Sequence, residues 1–297
     1  MTPRESYVKA GQIASEALQE GARIMAEDML VEEVCEKVEE RIISRGGLPA
    51  FPCNISQNAE AAHYSASPGD SRRIQRGAIV KLDIGVHVDG YIADTAVTVN
   101  FNPSLEDMVS ANRAILSDAL KSIRREAALG NVGEVVDMEA SRRGYRPIAN
   151  LAGHQLDQYV LHAGVSVPND RERTDGSFKL DTAYAIEPFL VAKAARGWVI
   201  NGPPGNIYRL VSRKRIKDKE LASAAEFIWQ SYKSLPFSSR WFAKAYAGEK
   251  AAGILQSLLK ERIAMTYPVL TTVDGALVSQ FEHTVLVGAN ETLVTTL

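Results

Sequence analysis

Residues 81–101, KLDIGVHVDGYIADTAVTVNF, constrain the fold of this chain more tightly than any other stretch. Asp89-Gly90 favours a two-residue type I′ turn, so the alternating runs on either side are predicted to pair as an antiparallel hairpin. That turn length fixes the register: Val88 falls opposite Tyr91, Gly85 opposite Asp94, and Asp83 diagonal to Asp94 on the same face. Val80, Leu82, Ile84, Val86 and Val88 share the other face, a period-2 apolar set that must lie on a core. Two carboxylates therefore converge on the face turned away from that core. In an antiparallel sheet such a face is commonly solvated, and Asp83 and Asp94 alone do not argue for more.

With 297 residues, the chain is long enough for one large domain or two smaller ones. Its 45% hydrophobic and 24% charged content is that of a soluble globular protein. No run approaches the roughly eighteen apolar residues of a membrane span. The N-terminal segment carries Arg4, Glu5, Lys9, Glu16 and Glu20 and lacks the apolar core of a secretory signal, so a cytoplasmic location is expected. Cys35 and Cys53 are too few for a disulfide framework and lack zinc-site spacing, so any metal must use oxygen and nitrogen ligands. A formal net charge of -2 argues against constitutive binding of nucleic acid.

Apolar residues at helical spacing predict helices over 4–24 and 30–43, and Gly46, Gly47, Pro49 and Pro52 end this pattern. Pro103-Ser104 is predicted to start a long helix reaching about Leu129, followed by a shorter one from Val132 to Arg143. Short strand-like runs follow between Arg146 and Val199, interrupted by the polar loop PNDRERTDGSFKLD. Residues 209–219, RLVSRKRIKDK, are basic, and 218–263 read as two or three helices with Trp229, Trp241 and Leu258 at core positions. This gives an expected organisation of a main domain, 1–205 and 270–297, interrupted by a helical insertion, 206–269. Asp274-Gly275 marks a second expected hairpin turn.

Glu187 in AYAIEPFLVA and Glu282 in LVSQFEHTVLV sit among apolar residues that look like buried strands, with no lysine or arginine close by in sequence. Buried carboxylates are paired with cations or bound to metal, although alternation would equally place either glutamate on an outer face. His154 lies beside Ala152 and Gly153, which leave room for a ligating imidazole; a lone histidine there is more often structural. His87, next to the turn, is expected to be exposed, and His283 to face away from Glu282. Asp83, Asp94, Glu187 and Glu282 supply four negative charges and His154 a neutral donor. That count balances two divalent cations better than one.

FPCNISQNAEAAHYSA, KLDIGVHVDGYIADTAVTV, LAGHQLDQYVLHAG, YAIEPFLV, NIY and SQFEHTVLV occur in an order and spacing that resemble the type II methionine aminopeptidases of the archaeal kind. The resemblance extends over nearly the whole chain. It implies an α+β pita-bread fold, a curved antiparallel β-sheet covered by helices, with a helical insertion subdomain. It implies two divalent ions, Co, Mn, Fe or Zn: Asp83 would bind one, Asp94 and Glu282 would bridge both, and His154 and Glu187 would complete the other. Glu187 would also act as general base on a metal-bridging water. His162 would contact the scissile carbonyl and His63 the amide-nitrogen side, while Phe51, Leu161 and Tyr267 would line the methionine pocket. The implied substrate is a nascent polypeptide beginning with unformylated methionine and a small second residue. The implied protein is a monomer without membrane or stable nucleic-acid partners, and a transient ribosome contact is left open. Ala195 departs from a more glycine-rich turn in relatives. An Xaa-Pro peptidase of the same fold would need a separate domain ahead of its first aspartate, for which Asp83 comes too early. A non-enzymatic pita-bread protein binding RNA or protein through 209–219 would have lost metal ligands, and all five are present here.

Overall fold

A computed structural model describes residues 1–171 and 174–297. The polar loop expected over 168–181 therefore includes two residues, 172 and 173, that lie outside the described residues. Helix α1, Pro3–Ile24, starts from a capping box in which Thr2 Oγ1 accepts from the Glu5 amide and the Glu5 carboxylate accepts from the Thr2 amide. Helix α2, Val31–Ser44, follows, and then strands β1, Leu48–Gln57, β2, Glu60–Ala62, β3, Ile79–Val88, and β4, Tyr91–Asn100. The apolar faces of α1 and α2 pack on Val80, Leu82, Ile84, Val86 and Val88 of β3. The hairpin register is the one that the turn requires: Val88 opposes Tyr91, Gly85 opposes Asp94 and Asp83 opposes Ala96. Asp89 and Gly90 both have positive φ, 52° and 86°, as a type I′ turn demands.

Every residue of β3 is buried, so neither face of the hairpin is solvated. The second face is covered by the later half of the chain. That half comprises α3, Glu106–Leu120, α4, Gly130–Arg142, β5, Tyr145–Pro147, β6, Ala152–Leu156, β7, Ser166–Pro168, β8, Thr182–Ile186, and β9, Phe189–Ala192. The helix expected to reach Leu129 stops at Leu120. Beyond it the backbone pairs with residues 176–178, through Glu126 N to Phe178 O, Phe178 N to Ala127 O and Leu129 N to Gly176 O. Ile123, Ala127 and Leu129 still reach the second core, so their helix-like spacing is satisfied by another geometry.

Strand β10, Val199–Leu210, leads into α5, Lys219–Tyr232, β11, Phe237–Ser238, α6, Ser239–Phe242, and α7, Ala251–Lys260, and the chain returns through β12, Ala264–Thr272. Helices α5–α7 surround a core of their own that contains Ile228, Phe237, Phe242 and Leu258, with Trp229 and Trp241 only partly buried. The last strands are β13, Ser279–Gln280, β14, His283–Val287, and β15, Thr292–Val294. Asp274-Gly275 forms a turn but no hairpin: β12 pairs with β10 and β2, whereas β13 pairs with β9. Asp274 Oδ2 instead accepts from the Arg196 amide at 2.7 Å, holding the turn against a neighbouring loop.

A buried polar network joins α6 to the first half. Arg240 forms a fork on Glu39 of α2, with Nη1 to Oε2 at 3.0 Å and Nη2 to Oε1 at 2.9 Å. The same carboxylate accepts from Trp241 Nε1 at 2.8 Å and from the Cys53 amide at 3.1 Å. Glu39 and Arg240 are far apart in sequence, and only the tertiary fold brings α2 and α6 together.

Candidate metal centre

Each half of the chain delivers carboxylates to the same place. Asp83 comes from β3 and Asp94 from β4; His154 comes from β6, Glu187 follows β8, and Glu282 precedes β14. Pairing of β6 and β14 with β8 sets His154 opposite Ala185 and His283 opposite Ile186, which brings the ends carrying Glu187 and Glu282 together. The two halves are tied by the Ala96–Glu282 backbone bridge, with Glu282 N donating to Ala96 O at 3.0 Å. Thr284 Oγ1 accepts from Asp94 N at 2.7 Å and donates to Asp94 O at 2.8 Å, locking that strand crossing. Asn169 Nδ2 donates to the carbonyls of Leu151 and Glu187, fixing the turn that aims Glu187.

Ligand atoms of Asp94, His154 and Glu282 lie within 4.8 Å of one another. His154 Nε2 is 3.7 Å from Asp94 Oδ2 and 3.5 Å from Glu187 Oε1. Asp83 lines the same cleft, and Asn54 Nδ2 lies 3.5 Å from its Oδ2. Gln280 Nε2 reaches Glu282 Oε2 at 3.4 Å. The sequence reading missed both amides; an Asn and a Gln each inside a strongly apolar run were the available signal. Asp83 Oδ1 and Asp94 Oδ1 are buried without a hydrogen-bond partner among the described residues. Among the described residues no lysine or arginine lines the cleft, which has a volume of about 310 Å³. Burial pushes Asp83 up to about 7, and burial together with repulsion from neighbouring carboxylates holds Asp94, Glu187 and Glu282 well above the usual range. Carboxylates crowded in this way are stable as anions only with cations between them, and a donor set of hard oxygens with one imidazole fits divalent ions. Burial lowers His154 to about 3, leaving its imidazole neutral and able to ligate.

His63 and His162 line the same cleft, as do Phe51, Leu161 and Tyr267. His162 lies against His154 with ring centroids 4.2 Å apart. Its pKa is lowered by burial and by the positive charge of Arg209. His63 has φ +69° and Nδ1 3.2 Å from Pro268 O, so Nδ1 carries the hydrogen and donates. Its ring meets Tyr267 edge-on at 5.5 Å. Phe51 and Leu161 are buried beside Leu235. His87 is only 7% exposed, contrary to the expectation from its place beside the turn. Its Nδ1 accepts from Gly90 N at 3.1 Å and its ring packs on Tyr159, because the segment around Tyr159 folds over the hairpin end. His283 is not among the cleft residues and bonds through Nδ1 to Thr296 Oγ1 at 2.9 Å.

Comparison with known proteins places this geometry in a class. The sequence profile of metallopeptidase family M24 matches residues 5–289, and the chain belongs to that family. It is similar to the methionine aminopeptidase of Methanocaldococcus jannaschii, 38% identical over 292 residues that cover 98% of each chain. Among solved structures, methionine aminopeptidase from Thermotoga maritima superposes with a TM-score of 0.69 at 20% identity, covering 98% of this chain and 95% of that one. A thermophilic Arx1 superposes with a TM-score of 0.85 at 14% identity, covering 98% and 90%. These likenesses define the pita-bread fold expected from the sequence, mixed helices over a curled antiparallel sheet.

Proposed function

We propose that this chain is a methionyl aminopeptidase in which Asp83, Asp94, His154, Glu187 and Glu282 hold two divalent ions and His63, His162 and Glu187 act on the peptide. It removes methionine from the N-terminus of polypeptides with a small second residue. The observation that carries the reading is the convergence of three buried carboxylates, a fourth that is partly buried, and one imidazole in a cleft that no lysine or arginine lines among the described residues. Four anions match two divalent ions in charge, and the donor set accepts Co, Mn, Fe or Zn. Bound there, such ions supply a water of lowered pKa and polarise the peptide carbonyl.

The residues around them account for the rest. Burial, and after it the charges of Asp94 and Asp83, raise the proton affinity of Glu187, which suits a general base. Neutral His162 donates to the oxygen that gains negative charge during attack. With Nδ1 committed to Pro268 O, His63 presents Nε2 as an acceptor for the N–H of the scissile amide. Phe51, Leu161 and Tyr267 bury the thioether side chain, and the acidic cluster attracts the free α-amine, restricting cleavage to the first residue. Residues 206–269 are read as the insertion subdomain. The natural substrates are nascent chains with unformylated methionine, met by a cytoplasmic monomer through transient contact with the ribosome. Among the described residues no helix is long and apolar enough to cross a membrane.

The test is hydrolysis of Met-Ala-Ser and Ala-Pro-Ser by metal-free protein titrated anaerobically with Mn(II), Fe(II), Co(II) and Zn(II). The reading requires metal-dependent release of methionine, an untouched proline peptide and saturation near two ions per chain, with Glu282→Gln lowering that stoichiometry. Folded, metal-loaded protein that releases nothing would leave a binding protein of the same fold.

A further inference from the structure

We propose that Arg209 selects substrates by recognising a carboxylate on the third or fourth residue of the peptide, downstream of the scissile bond. This rests on the aminopeptidase reading above. Arg209 lies on β10 two residues beyond Ile207, hence on the same face, and Ile207 lines the cleft opposite Tyr267. Its guanidinium is 6.0 Å from the centre of the Tyr267 ring. Its charge also reaches His162. The side chain thus sits at the edge of the reaction cleft.

What sets it apart is the lack of a partner. A guanidinium stays charged at every physiological pH and offers five donors, and when half-buried it is normally matched by a carboxylate. Arg240 has Glu39 and Arg213 has Glu226 within reach. Arg209 has no ion pair among the described residues, and its hydrogen-bonding there amounts to a weak contact from Nη2 to the Met265 sulfur at 3.6 Å. Nε is buried and has no acceptor among the described residues. An acceptor arriving with the substrate would satisfy that donor.

Electrostatics along the cleft say which part of the substrate brings it. The α-amine is attracted by Asp83, Asp94, Glu187 and Glu282 and repelled by the guanidinium. With the amine at the acidic end and the scissile carbonyl at His162, the segment that passes Arg209 is downstream of the bond. A carboxylate two or three residues after the methionine completes an arginine–carboxylate pair.

The experiment compares C-terminally amidated peptides, so that the side chain is the sole carboxylate: Met-Ala-Glu-Ala-NH2, Met-Ala-Ala-Glu-NH2 and their Gln and Lys counterparts, all with the metal-loaded enzyme. The expected kcat/KM for the better Glu peptide is about fivefold above its Gln counterpart, carried by KM and shrinking as salt rises from about 0.02 to 0.3 M. Arg209→Met brings the Glu/Gln ratio to about one and Arg209→Lys keeps part of the preference. Each ratio is taken within one variant, so folding and metal loading cancel. A wild-type ratio near one at both positions, or a ratio unchanged in Arg209→Met, overturns the proposal while cleavage of the Gln peptides leaves the aminopeptidase reading standing. Failure to release methionine from any peptide overturns that reading itself.

Discussion

Glu39→Gln is expected to destabilise the protein severely although the residue is remote from the metal ligands in sequence. The side chains of Arg240 and Glu39 are only 5% and 7% exposed. Four hydrogen bonds converge on the Glu39 carboxylate, two from Arg240, one from Trp241 and one from the Cys53 amide. The amide of Gln keeps a single acceptor oxygen, in place of either Oε1, which accepts from Arg240 Nη2 and the Cys53 amide, or Oε2, which accepts from Arg240 Nη1 and Trp241 Nε1; it turns an NH2 toward the other two donors and leaves the guanidinium charge uncompensated. Removing one partner of a buried pair costs about 3–5 kcal/mol, a large part of the ~5–15 kcal/mol that keeps a domain folded. Urea denaturation followed by far-ultraviolet circular dichroism measures the loss without relying on Trp241. The decisive comparison is Glu39→Gln/Arg240→Met, in which no buried charge remains. It should be more stable than Glu39→Gln alone, by about 2 kcal/mol or more. The reasoning is refuted if Glu39→Gln unfolds at the wild-type urea concentration, or if the double variant is no better than the single one.

Metal-stripped protein should lose stability as pH rises above about 6.5, the direction set by its buried carboxylates. Asp94, Glu187 and Glu282, held well above the usual carboxylate range by burial and by neighbouring carboxylates, bind protons more tightly folded than unfolded, so rising pH favours the unfolded chain. Lys81, lowered to about 7 by burial, contributes in the opposite sense, one group against three. Below about pH 6.5 the histidines held neutral by burial offset the carboxylates, so the fall belongs to the higher window. Thermal melts with and without excess Mn(II) check it: the stripped protein's midpoint falls and the loaded one stays flatter, and a stripped midpoint that rises with pH contradicts the assignment. Gly85→Ala would set a Cβ 2.3 Å from Phe51 Cε1, displacing the ring from the cleft. KM for Met-Ala-Ser should rise about tenfold, and Phe51→Leu in the same chain should restore part of it; an unchanged KM removes Phe51 from the methionine pocket.

The sequence by itself determined the elements whose cause is local. The Asp-Gly turn set the β3–β4 register, and with it the diagonal placement of Asp83 and Asp94, because a two-residue turn admits one pairing. Apolar spacing set α1 and α2 to within a residue or so. Charge in apolar surroundings singled out Glu187 and Glu282. Local rules failed where distant segments compete for the same backbone or side chain. The predicted helix to Leu129 gave way to pairing with 176–178, and Asp274-Gly275 turned without pairing its flanks, since β9 and β10 offered better partners.

Only the tertiary structure decided what lies beneath and beside those residues. The face of the hairpin that carries Asp83 and Asp94 is solvated in a lone sheet and buried here because the second half of the chain folds onto it. His87 is buried by the segment around Tyr159, far along the chain. Asn54, Gln280, Thr284 and Asn169 hold the ligand-bearing strands through bonds between elements that no sequence period reports. Burial is a property of the whole packed chain, whereas register and periodicity belong to a few consecutive residues.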